Sequence, residues 1–164
     1  MRCAFVYPPD IRDGKRPLLG QNRQFKYTHS REIRIYPLIP AHTVTNLKHS
    51  GHEVLFLDGI NRNMPQEKFL ETLEKFRTDM LIMETKAPII RKHWAFINEF
   101  KEKFPETITV LAGDHVSFFP EESLENSSVD YVVTGGDYDI SIPKIALRVR
   151  ICDFHYFKDK KTWG

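Results

Sequence analysis

Apolar residues along this chain fall into two alternating kinds of segment, and the alternation points to a class of fold. Short stretches dominated by apolar residues occur at residues 3–7, 53–58, 80–84, 107–112 and 131–134. Runs apolar on both faces suit strands covered on both sides, as in a parallel sheet. Between them lie longer segments of helical period. Residues 66–77 place Phe69, Leu70, Leu73 and Phe76 on one stripe, with Glu67, Lys68, Glu71, Glu74 and Lys75 elsewhere. Residues 89–104 repeat the device with Ile90, Trp94, Ile97 and Phe104 opposite Arg91, Lys92, Glu99 and Glu102. Such stripes are read as core. Residues 40–50 carry Pro40 near a first turn, apolar Val44 and Leu47, and Gly51 where a C-terminal cap belongs. A last helix begins near Asp139 and bears Ile142, Ile145, Ala146 and Val149.

Strand followed by helix, five times over, predicts an α/β domain with a flavodoxin-like (Rossmann-like) five-stranded parallel sheet of order 2-1-3-4-5 and helices on both faces. The expected domain covers residues 1–149, with 150–164 as a C-terminal tail. In that topology ligands sit beyond the carboxyl ends of strands 1, 3 and 4, where the winding reverses. The site is therefore located before its chemistry is known.

Composition narrows the function classes. The chain has 164 residues, 41% of them hydrophobic, and 24 Lys+Arg against 22 Asp+Glu, for a formal net charge of +2. That is one domain with a real core, and it argues against a general electrostatic grip on nucleic acid. Two cysteines, Cys3 and Cys152, match no zinc spacing. The apolar N-terminal run breaks at Pro8-Pro9, too early for a signal peptide, and no stretch approaches the ~20 apolar residues that span a bilayer. The expectation is a soluble cytoplasmic protein with no membrane partner.

Candidate chemistry gathers at the predicted carboxyl edge. After Tyr7 comes a connection over residues 8–39, where most α/β loops need only ~2–6 residues. It holds Pro8, Pro9, Asp10, Arg12, Asp13, Gly14, Gln21, Asn22, Arg23 and Tyr27, which either cover a bound molecule or form a surface excursion. The third strand runs into Glu84-Thr85-Lys86-Ala87-Pro88, the fourth into Gly113-Asp114-His115-Val116-Ser117, and the fifth into Thr134-Gly135-Gly136-Asp137-Tyr138. Glycine at a strand end lets a ligand approach the backbone, and it also serves a bare turn. No G-x-x-x-x-G-K-[ST] and no G-x-G-x-x-G is present, so the P-loop and the dinucleotide fingerprint are both excluded. A phospho-acceptor receiver is disfavoured, because Gly135-Gly136 stands where its lysine would be.

The order of motifs is more telling than any one of them. Tyr7-Pro8-Pro9, Tyr36-Pro37-Leu38-Ile39-Pro40, Ser50-Gly51-His52-Glu53-Val54 running into Leu57-Asp58, the run from Thr78 to Thr85, Gly113-Asp114-His115-Val116-Ser117, Pro120-Glu121-Glu122, and the run from Val129 to Asp137 follow one another. Together they resemble the N-terminal cobalamin (B12)-binding domain of B12-dependent radical SAM proteins. The resemblance implies a cobalamin-binding module that cradles a corrinoid, with the corrin ring across the carboxyl edge and the nucleotide tail in the sheet crevice. Tyr7, Pro8, Pro9, Asp10 and Glu84 would be among the cofactor-binding residues. Thr85 would face the tail, and Gly113 would keep the tail's path open. Asp114, His115 and Val116 would border the ring or its amides, and Gly135, Gly136 and Asp137 would line the far wall.

Departures from related patterns limit what the module can do. Better-known B12 domains carry D-x-H-x-x-G, whose histidine binds cobalt from below. The nearest match is Asp10-Ile11-Arg12-Asp13-Gly14, with arginine in histidine's place. A guanidinium stays protonated and offers no lone pair. Among seven histidines only His115 falls at a predicted strand end in the crevice, with His29 a weaker candidate; His42, His49, His52 and His93 are assigned to helix faces or caps. The C-x-x-x-C-x-x-C run of radical SAM enzymes is absent, so no iron–sulfur cluster is expected in this chain, and chemistry would need a radical SAM catalytic domain or protein as partner. Two other readings stand beside this one: a non-catalytic protein-interaction scaffold that keeps the fold without a corrinoid, and a small-molecule enzyme using Asp114 and His115 as acid and base. The segment from Arg148 to Gly164 departs from the helical pattern and is expected either to pack on the sheet edge or to dock a partner.

Overall fold

A computed structural model describes residues 1–10, 12–19, 26–29, 35–151 and 161–163. Its main sheet contains β1 (Arg2–Tyr7), β4 (Glu53–Asp58), β5 (Met80–Thr85), β6 (Ile108–Gly113), β7 (Tyr131–Val133) and β8 (Lys161–Trp163), all parallel, in the order β4-β1-β5-β6-β7-β8. A separate two-stranded hairpin, β2 (Arg16–Pro17) with β3 (Tyr27–Thr28), lies in the long connection after β1. Because that hairpin takes two numbers, β4, β1, β5, β6 and β7 are the second, first, third, fourth and fifth of the anticipated strands. The sheet has six strands rather than five, since the tail contributes β8 at the edge.

Helices cover both faces. Cys3, Phe5, Met80, Ile82, Val110, Ala112, Tyr131 and Val133 point to the side where α1 (Leu38–His49) and α6 (Tyr138–Ile151) supply Val44, Leu47, Ile142 and Ile145. The alternate residues, Ala4, Val6, Leu81, Met83, Leu111 and Val132, meet Phe69 and Leu73 of α2 (Gln66–Phe76) and Ile90, Trp94, Ile97 and Phe100 of α3 (Ile90–Lys103). Alternation of side chains across each strand is thus what builds two cores from one apolar run.

The local signals account for most element ends. Helix α1 closes with Gly51 at φ 79°, a left-handed position that glycine occupies without a Cβ penalty. It begins at Leu38, two residues before the anticipated start. Helix α6 continues to Ile151, past the point where the tail was expected to leave helical structure. The segment after Gly113, anticipated as a loop, is helical: α4 (Asp114–Phe118) starts at the strand end, and α5 (Pro120–Asn126) follows. His52 lies buried between α1 and β4 rather than on a helix. Among the described residues, no helix is long and apolar enough to cross a membrane.

Candidate functional site

On the α1/α6 side of the carboxyl edge, Tyr7 ends β1, Glu84 is the penultimate residue of β5, and Tyr138 opens α6. All three are buried. The Tyr7 hydroxyl donates a hydrogen bond to the Glu84 carboxylate. Tyr138 turns its buried hydroxyl toward the same carboxyl without the geometry of a full hydrogen bond. Burial pushes Glu84 above the usual carboxylate range, against the opposing pull of Tyr7 and Lys86, and burial with Glu84's charge pushes both phenols up. Phe5, Phe56 and Tyr7 pack ring to ring around this group.

On the α2/α3 side, Thr85 is completely buried and its hydroxyl lies 3.0 Å from Nδ1 of His93, in the first turn of α3. Burial pushes His93 down to about 4, so its ring is neutral near pH 7. Thr85 pairs in register with Gly113 of the adjacent strand. Gly113 sits at φ 118°, and a Cβ built there would stand 2.3 Å from the Thr85 carbonyl oxygen and 3.0 Å from its nitrogen. The glycine is therefore required by a neighbouring strand of this same chain, not by a visiting ligand.

The remaining expected site residues divide between lid and open ground. Lys86 is buried, with its ammonium 3.4 Å from the exposed carboxylate of Asp114. His115 lies against Trp94 and Phe119 and places Nε2 2.8 Å from Glu122, while Val116 is fully buried beneath it. Asp114 and His115 thus serve different partners and form no acid/base pair. Ser117 ties the strand ends together, donating to the Gly113 carbonyl at 2.9 Å and accepting from the Gly135 amide at 3.0 Å. Gly135 and Gly136 face open space, and the Asp137 carbonyl accepts the first amide bonds of α6 from Ile140 and Ser141.

In the loop after β1, Asp10 pairs with Lys92 and accepts a 2.9 Å hydrogen bond from Tyr27. Arg12 lies over the Tyr27 ring at 5.2 Å. Asp13 and Gly14, at φ 47° and 72°, make the tight turn closed by the Arg12–Lys15 bridge. Asp10, through Lys92 of α3, thus holds the long connection onto the domain, and Arg12 packs within the connection. Pro8, Pro9 and Asp10 also wall a cleft of about 240 Å³ against Phe96 and Lys92. Gln21, Asn22, Arg23 and Cys152 lie outside the described residues.

These contacts test the crevice for a corrinoid. A nucleotide tail in the crevice beyond the strand ends would meet Thr85 bonded to His93 and the Glu84–Tyr7 pair. The residues present do not fit that group in this arrangement. His93 and Tyr138 do part of the closing; periodicity assigns His93 to a helix face or cap, because only the β5–α3 turn aims it at the sheet edge. Among the described residues, no group of three or more His, Cys, Asp or Glu side chains is placed to hold a metal ion. Exposed apolar side chains stand near the carboxyl edge: Tyr36 (72% exposed) just before α1, Leu38 at its start, Phe118 (80%) at the end of α4, Phe119 between α4 and α5, and Ile140 in the first turn of α6. No protein-family model matches the chain, and no curated protein matches it significantly.

Proposed function

We propose that this chain is a non-catalytic interaction module that keeps the fold of the cobalamin-binding domains it resembles and meets a protein partner through the carboxyl edge of its sheet. The observation that carries this reading is the crevice itself, filled by this chain's own groups: Glu84 with Tyr7, Thr85 with His93, and Lys86 with Asp114. The exposed aromatic and aliphatic residues around it give a partner apolar surface to cover. A partner's side chains need only rest on that rim, whereas a tail must displace buried, bonded groups, each costing roughly 1–3 kcal/mol to leave unsatisfied.

A second reading has one observation in its favour. Gly135 and Gly136 leave open ground beside the rim, and a corrin ring lying across it with its tail outside the crevice would find backbone groups there. Gel filtration of the purified chain after mixing with hydroxocobalamin separates the two. Corrin absorbance absent from the protein peak is the result expected of the interaction module. Corrin absorbance that co-elutes with the protein overturns it in favour of cobalamin binding.

A further inference from the structure

At the opposite, amino-terminal edge of the sheet lies a cavity of about 280 Å³. Nearly twice the roughly 150 Å³ cavity that takes up one benzene, it is the size of a fused two-ring aromatic. Its floor is Leu73 and Phe100, both fully buried, and its wall is Phe104, whose ring stands 4.9 Å from that of Phe100. An aromatic guest would extend this ring pair in the tilted geometry such rings prefer.

Most polar groups around the cavity are already committed. Arg2 and Asp79 hold each other through guanidinium contacts of 2.6 and 3.3 Å and an amide bond of 2.7 Å. The Thr78 hydroxyl donates to the Leu73 carbonyl, and the Thr107 hydroxyl donates to the Thr78 carbonyl. Two charges remain at the rim, Glu74 and Arg77, and neither makes an ion pair among the described residues.

Arg77 also occupies an unusual backbone position. It ends α2 in the left-handed region, at φ 52° and ψ 56°, where glycine or asparagine is the ordinary choice. Among the described residues, the other non-glycine positions at positive φ are Asp13 and Asn63, types that tolerate it well. A long cation held there against backbone preference, over an apolar cavity, is an outlier from which function can be argued.

We propose that this cavity binds a small aromatic α-amino acid, with the ring on Leu73, Phe100 and Phe104, the carboxylate on the Arg77 guanidinium, and the ammonium on Glu74. A planar guanidinium suits a carboxylate bidentately. The two unpaired rim charges, opposite in sign and three residues apart, match a zwitterionic head better than either charge alone. This site lies at the end of the sheet away from the interaction edge and stands or falls independently of it.

Isothermal titration of the full chain with L-tryptophan, with amide chemical shifts to locate it, is the test. Saturable binding that moves the amides of Thr78, Asp79 and Thr107 is expected. Arg77→Gly, which places the favoured residue in that backbone conformation and so keeps the fold, should weaken binding at least tenfold, and Glu74→Gln should weaken it severalfold. Indole-3-propionate, which lacks the ammonium, should bind more weakly than tryptophan. Absence of saturable binding, unchanged affinity in Arg77→Gly, shifts confined to other regions, or equal affinity for indole-3-propionate would each overturn the assignment.

Discussion

The two ends of the sheet differ in which groups stand at the strand termini. At the carboxyl edge, where open α/β sheets ordinarily receive ligands, the space between strands is closed by Tyr7, Glu84, Thr85, Lys86 and His93. At the amino edge, ordinarily given to stability, an apolar-floored cavity stands open beneath Arg77. Topology marks where a site is possible, and side-chain volume and pairing decide what space is left there.

The largest expected effect tests how tightly the carboxyl edge is closed. Gly113→Ala puts a Cβ against the Thr85 carbonyl in a backbone region that side chains avoid, so it should cost about 4 kcal/mol in urea denaturation. Gly135→Ala, also at positive φ but facing open space, should cost about 1 kcal/mol. Equal costs for the two would break the contrast between closed crevice and open rim.

Acid should find the same edge through His93. Its folded value is depressed from the ordinary 6.5 to about 4, so the native state resists a proton that the unfolded chain accepts. The stability this contributes is complete above pH 6.5 and is lost as pH falls from there toward 4, about 3 kcal/mol over the window. Urea midpoints across that range should fall in the native chain and fall less in His93→Gln.

Glu84 carries the opposite sign. Because burial raises its folded value, its contribution is present at low pH, below the unfolded value, and is lost as pH rises through the folded value. Glu84→Gln keeps an acceptor for the Tyr7 hydroxyl and removes the buried charge, so stability should rise at pH 8 with little change at pH 4. A loss at both pH values would show that the carboxylate is better paired than its neighbours suggest.

The smallest effect belongs to the amino edge. Arg77→Gly should raise the unfolding free energy by about 1 kcal/mol by relieving the left-handed backbone. A destabilised variant would mean that the guanidinium makes a contact that holds the fold, and the contrast between the two ends would lose its second half.

Much of the architecture was legible because it follows from short-range pattern. Continuous apolar runs such as Met80-Leu81-Ile82-Met83 can be satisfied only between two helical layers, and the stripe of Phe69 and Leu73 names the face that covers them. The helix α5 carried a readable signal that went unused, Pro120 at its first turn followed by Glu121 and Glu122. Strand β8 carried none, since Lys161-Thr162-Trp163 is too short for a period and its pairing with β7 is a long-range event.

The candidate site was legible as a place and not as a condition. Thr85, Gly113, Glu84 and Asp114 were each located at the carboxyl edge from sequence, because strand ends are set by local pattern. Whether the gap among them is open depends on His93 reaching back across the β5–α3 turn and on Tyr138 entering from α6. The sequence by itself determined the alternation of strand and helix, the doubly covered sheet and the edge where chemistry gathers, because these rest on periodicity and chain connectivity. Only the tertiary structure decided that Glu84, Thr85 and Lys86 are covered by groups of this same chain while cavities stand open beside Pro9 and Phe96 and beneath Arg77, because contacts between residues far apart in the chain leave no trace in local pattern.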